Sequence, residues 1–156
     1  MNFRTLTGLL VFSGSLLFSS CSDDAPKTQA PKESLPTRVF RQYLKENFRD
    51  SIPQQKHVYI LVPGKGCKGC MANTLDRIRQ LKPDSSYTTV IISSINTLPE
   101  EMYPVPFLFD EKAKMERINL RISNVTVLRT QNGRIHDIRN FDGIHDRGLD
   151  SLIRWK

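Results

Sequence analysis

Hydrophobic positions along this chain fall into blocks whose spacing changes from one to the next. Val39, Phe40, Tyr43, Leu44 and Phe48 share one helical face, which predicts a helix from about 37 to 50 with Pro53 as its stop. "HVYILV", His57 to Val62, is an unbroken apolar run rich in β-branched residues, the pattern of a central strand covered on both faces. Beyond a glycine-rich loop, Met71, Leu75, Ile78 and Leu81 return at spacings of four, three and three until Pro83, a second helix. "YTTVIISSI", Tyr87 to Ile95, predicts the next strand, so the order is strand, helix, strand with a right-handed crossover.

The second half reads as a short extended segment ("YPVPFLFD"), a helix over "EKAKMERINL" with Met115 and Ile118 inward, and a third strand, "VTVLRT". "QNGR" follows, and Asn-Gly between extended runs is a strong hairpin signal. The returning strand, about Arg134 to Phe141, alternates imperfectly, since Ile135 and Ile138 point to opposite faces unless a bulge intervenes. Leu149, Leu152 and Ile153 close the chain with an amphipathic helix.

The first twenty residues differ from all of this. "MNFRTLTGLLVFSGSLLFSSC" has Arg4 as a positive n-region, an apolar stretch from Leu6 to Phe18, then Ser19, Ser20 and Cys21. It resembles a bacterial lipoprotein signal peptide, which implies cleavage before Cys21 and lipid on that thiol. A cleaved secretory signal and an uncleaved anchor are the alternatives, and each puts the remainder outside the cytoplasm. Ser22 to Pro36 is polar, carries Pro26, Pro31 and Pro36, and has no periodicity to bury. Such a tether reaches at most about 50 Å when extended. Its Ser22-Asp23-Asp24 start resembles the acidic export signals of some bacterial lipoproteins. The expected organisation is a signal over 1–20, a lipidated cysteine and tether over 21–36, and a domain over 37–156.

Composition narrows the class. The 156 residues, 38% hydrophobic and 25% charged, suit one domain with a proper core. The formal charge of +7 could favour anionic partners such as lipid headgroups, but the arginines are scattered and not interleaved with aromatics. Nucleic acid is therefore not an expected partner.

"VPGKGCKGCM" carries the candidate chemistry. With Cys21 consumed by lipid, the remaining thiols are Cys67 and Cys70, and an exported pair can form and keep a disulfide. Disulfide exchange needs an attacking thiolate and a second thiol within reach to resolve the mixed disulfide. Cys67 at the mouth of the helix meets unpaired N–H groups and the positive end of the helix dipole, and Lys65 and Lys68 add positive charge. Cys70, one turn in, is expected to be less accessible. The glycines at 64, 66 and 69 leave room for a substrate disulfide.

The order of elements over residues 55–156, with this pair between first strand and second helix and a hairpin plus helix at the end, resembles the thioredoxin superfamily. It looks most like the membrane-tethered thioredoxin-like and redoxin proteins of bacteria. That resemblance implies an α/β three-layer fold, a central mixed sheet flanked by helices, with Cys67 as nucleophile and Cys70 as resolver. Three departures stand out. Gly66 replaces the aromatic that usually precedes the first cysteine, and Leu61 replaces thioredoxin's buried acid, which predicts slower resolution at neutral pH. The loop that in the family carries a cis-proline aligns on Asn124, Val125 and Thr126, with Val125 at the proline position because the Asn-Gly turn anchors the register. A cis bond there would cost roughly 3 kcal/mol, so trans is expected. Pro106 is the other position available to that role.

Other readings of the pair are weaker. So short a closed loop gains little as a structural staple. Zinc would need His57, His136 or His145 beside the cysteines, and His57 starts the strand whose far end carries the motif, roughly 15 Å away. A peroxidase pattern would put Cys67 where a threonine hydroxyl is required. No metal or cofactor is expected. Two hypotheses remain. One is a lipid-anchored extracytoplasmic thiol-disulfide oxidoreductase acting on protein or small-molecule disulfides, with an unidentified electron donor. The other is a non-catalytic lipoprotein of the same fold serving as an interaction module. Asn124-Val125-Thr126 also fits an N-glycosylation pattern and is read here as strand entry.

Overall fold

A computed structural model describes residues 32–93, 105–142 and 148–155, apart from the side chain of Lys68. The leader, Cys21, most of the tether, the end of the strand expected to reach Ile95, and His145 lie outside the described residues.

Helix α1 spans Leu35–Phe48, two residues earlier at both ends than its periodicity suggests. Ser34 caps it through its side chain, with a proline in the first turn, so the tether expected through Pro36 gives way to helix at Leu35. The stop is Arg49 in a left-handed conformation, ahead of Pro53. Strand β1 is His57–Val62, helix α2 Lys68–Leu81, β2 Thr88–Ser93, β3 Phe107–Asp110, β4 Val125–Gln131, β5 Arg134–Phe141 and α3 Leu149–Ile153.

The strands form one mixed sheet in the order β3-β2-β1-β4-β5. β1 is parallel to β2 and antiparallel to β4, so it is the central strand that its continuous apolar run predicts. Its side chains alternate between two cores. Val58, Ile60 and Val62 join Val90, Ile92, Val125 and Val127 under α2 and α3, while Tyr59 and Leu61 join Ile91 and Leu128 under Phe40, Tyr43 and Leu44 of α1. The result is an α/β architecture with helices on both faces of the sheet.

The β4–β5 hairpin turns through Asn132 and Gly133, both with positive φ (53° and 66°), the twist a two-residue hairpin needs. Arg129 pairs with Asp137 and Thr130 with Ile135, leaving His136 as the extra residue of a bulge. That bulge reconciles the alternation, because Ile135 and Ile138 both pack on the α1 side of the sheet.

The helix expected over 111–120 is a single 3-10 turn, Lys114–Arg117. Met115 is buried as expected and Ile118 packs against the same cluster. Asp110, itself buried, decides the local geometry: its carboxylate accepts the Met115 backbone N–H and, at 3.1 Å, the Tyr43 hydroxyl. Burial and this neighbouring carboxylate push the Tyr43 phenol far above its usual range, so it stays a donor.

At the opening of β1, the His57 ring lies 4.6 Å, centroid to centroid, from Tyr59, and its Nε2 is 3.0 Å from the Thr89 hydroxyl. Burial holds its pKa below the usual 6.5, with Asp50 opposing. The unfolded chain therefore takes up this proton first as pH falls, so stability is full above the ordinary histidine range and declines below it. Urea unfolding should show a midpoint that drops between pH 7 and pH 5.5 in the native chain, and His57→Gln should flatten that slope.

Candidate redox site

β1 ends at Val62, and the chain enters a loop, Pro63–Gly66, at the carboxyl end of the parallel strands. Cys67 caps α2: its backbone is extended, and its sulfur lies 3.3 Å from the Cys70 N–H. The Cys67 carbonyl accepts the Met71 N–H at 2.9 Å. Cys67 and Cys70 are joined in a disulfide with their Cα atoms 5.2 Å apart, an ordinary separation for such a bond. Cys67 is exposed, Cys70 half-buried, and Met71 fixes the first turn in the core. The more exposed cysteine therefore sits at a helix N-terminus, where N–H groups and the helix dipole favour a thiolate once the bond is reduced.

The two glycines flanking Cys67 have different reasons. Gly66 has φ +155°, and a Cβ on it would come within 2.9 Å of the Ser123 carbonyl oxygen and 3.4 Å of Asn124 Oδ1. A side chain there is excluded both by backbone conformation and by the segment before β4, which is why no aromatic can precede Cys67 here. Among the described residues, a Cβ on Gly69 would meet nothing within 4 Å.

That close approach brings the segment before β4, rather than the one before β3, against the motif. Pro106 lies at the start of β3, which runs parallel to β2, and its carbonyl accepts the Val90 N–H at 3.0 Å. The register sets it level with Thr89 and Tyr59, two strands away from β1 and three residues short of the end that leads to Cys67. Of the three residues expected to face a substrate, Asn124 is half-buried beside Gly66, but Val125 and Thr126 are completely buried. β4 begins at Val125, so its side chain turns into the α2 core, while the Thr126 hydroxyl is engaged with the Asn124 carbonyl and the Asn140 carboxamide. Both side chains are thus enclosed by the fold and do not reach its surface. Ser123, exposed and one residue earlier, is on the accessible side with Asn124.

The expected cationic support is also modified. Lys65 is 82% exposed, and its Nζ lies 3.7 Å from Glu116 Oε2. Lys68 opens α2. Glu116, whose side chain is only 11% exposed, also accepts the Gly64 N–H at 2.8 Å and the Ser93 hydroxyl at 3.3 Å through Oε1. Leu61 is fully buried among apolar side chains, and the carboxylate beside the loop comes from a residue 52 positions along the chain from Gly64. Nothing in local spacing points to Glu116. Its only sequence mark is adjacency to Met115, and its aim depends on Asp110 and Tyr43 holding the 3-10 turn.

Among the described residues no group of three or more His, Cys, Asp or Glu side chains gathers as for a metal ion, and no helix is long and apolar enough to cross a membrane. His57 stands at the start of β1, the end away from Cys67, and exposed His136 is the bulge residue near Trp155. Gly66→Ala should lower stability by about 1–3 kcal/mol in urea unfolding, because the loop must move to clear Ser123. Gly69→Ala, unobstructed and inside the first helical turn, should be neutral or stabilising by up to about 1 kcal/mol.

Compared with protein-family models, with curated proteins and with solved structures, the chain matches none.

Proposed function

We infer that this chain is a lipid-anchored extracytoplasmic thiol-disulfide oxidoreductase of thioredoxin-like layout, with Cys67 as the exchanging sulfur and Cys70 as its resolver. One observation carries the reading: a disulfide whose first cysteine is exposed while its second is half-buried, at the start of a helix and beside Gly69, where a Cβ would meet nothing within 4 Å among the described residues. A staple has no need of that asymmetry, and the short loop it closes offers little stabilisation. The mixed five-stranded sheet with helices on both faces is compatible with the thioredoxin layout.

The exchange balances without a cofactor. A thiolate of a substrate dithiol attacks the Cys67 sulfur, the Cys67–Cys70 bond breaks, and Cys70 leaves as a thiolate that takes a proton from water. The substrate's second thiolate then attacks its own sulfur in the mixed disulfide and releases Cys67. The substrate loses two electrons and becomes a disulfide, and the pair gains them. Run in reverse, the same steps reduce a substrate disulfide. In either direction a second thiol or disulfide carrier must reset the pair.

The N-terminal segment supplies the location under this reading, with Cys21 as the lipid-bearing residue and the tether holding the domain near a membrane face. Cys21→Ser should move the protein from the membrane fraction to the soluble fraction of cells that express it. Within the domain, Cys70→Ala should accumulate mixed disulfides through Cys67, detected as thiol-reversible adducts on non-reducing gels, and Cys67→Ala/Cys70→Ala should accumulate none. A folded, exported Cys70→Ala variant that captures no partner would favour the non-catalytic interaction module instead.

A further inference from the structure

Glu116 is a charged group of this region, its side chain only 11% exposed, that the exchange itself does not use. Burying a carboxylate to this degree is costly unless donors surround it. Here three converge: the Gly64 N–H at 2.8 Å, the Ser93 hydroxyl at 3.3 Å and the Lys65 ammonium at 3.7 Å. Two of the three come from the loop that leads into Cys67, and the third ends β2, the strand beside β1. The carboxylate therefore ties the loop to the sheet and opposes the charge of Lys65, two residues before Cys67. Its own position is secured from the other side of the sheet, where Tyr43 and the Met115 N–H engage Asp110.

We propose that Glu116 is a positioning residue for the Cys67–Cys70 couple, holding the Gly64–Lys65 loop and offsetting the Lys65 charge, so that it tunes the reactivity of Cys67 and the redox balance of the pair. This rests on the oxidoreductase reading. An unopposed Lys65 would favour the Cys67 thiolate and hence the reduced form, making the pair more oxidising. With Glu116 in place the pair is held more reducing than its helix position and lysines alone would make it.

Glu116→Gln and Glu116→Ala separate the two roles. The glutamine oxygen can still accept the Gly64 N–H, so the first variant removes charge and keeps the latch, whereas the second removes both. The readouts are the pH dependence of iodoacetamide alkylation of the reduced protein and the equilibrium of the pair with glutathione. Glu116→Gln should shift the alkylation midpoint to lower pH and raise the alkylation rate below that midpoint about threefold, with an equilibrium shift of similar size toward the reduced pair. Lys65→Met should move both readouts the opposite way, and Lys65→Met/Glu116→Gln should return them close to the native values. Glu116→Ala should depart further from the native equilibrium than Glu116→Gln, which keeps the latch.

A native chain that exchanges with glutathione while both Glu116 variants keep its midpoint and equilibrium would overturn the role of Glu116 and leave the oxidoreductase reading intact. Identical behaviour of the two variants would overturn the latch. A native chain inert to glutathione would overturn both readings.

Discussion

The whole arrangement depends on β1 being enclosed on every side. It is hydrogen-bonded to β2 on one edge and β4 on the other, and its alternate side chains enter two separate cores. A strand so confined has no freedom of register, because a slip of one residue would exchange every side chain between the two cores. Its last residue, Val62, therefore ends at a fixed place, and the loop to Cys67 leaves from there. Three other segments converge on that exit: the end of β2 at Ser93, the approach to β4 at Ser123–Asn124, and the 3-10 turn bearing Glu116.

Those neighbours act on the loop in different ways. Ser123 acts by exclusion, since its carbonyl oxygen occupies the space that any Cβ on residue 66 would need. Glu116 acts by attraction, through a backbone N–H and a lysine ammonium. Together they fix a glycine-rich segment that would otherwise sample many conformations, and among the described residues nothing crowds Gly69. Within four residues, then, Gly66 is confined and Gly69 is unobstructed among the described residues.

The α1 side of the sheet is joined to this region by a buried polar contact. Tyr43 donates to Asp110 across 67 residues of sequence, and Asp110 also receives the N–H of Met115. A buried carboxylate that lost either donor would be left under-satisfied, at a cost of roughly 1–3 kcal/mol, so the 3-10 turn is strongly specified although it is only four residues long. Glu116 inherits its direction from that turn. The region around the disulfide is in this sense built from both faces of the sheet.

Sequence alone determined the elements and their faces where the signal is local. The apolar run of β1, the spacing from Met71 to Leu81, and Asn132-Gly133 each express a preference of the backbone within a few residues, and each element formed where that preference lies. Even the conflict between Ile135 and Ile138 was visible, with its solution a bulge at His136. The helix expected over 111–120 did not form at full length, because Asp110 captures the Met115 N–H and Ala113 enters the turn in a left-handed conformation. Tertiary structure alone decided what surrounds the cysteines: the burial of Val125 and Thr126, the oxygen facing Gly66, and the carboxylate beside Lys65. Each of these is a meeting of residues some fifty positions apart in the chain, set by strand order and packing, and no periodicity in a short window carries that information.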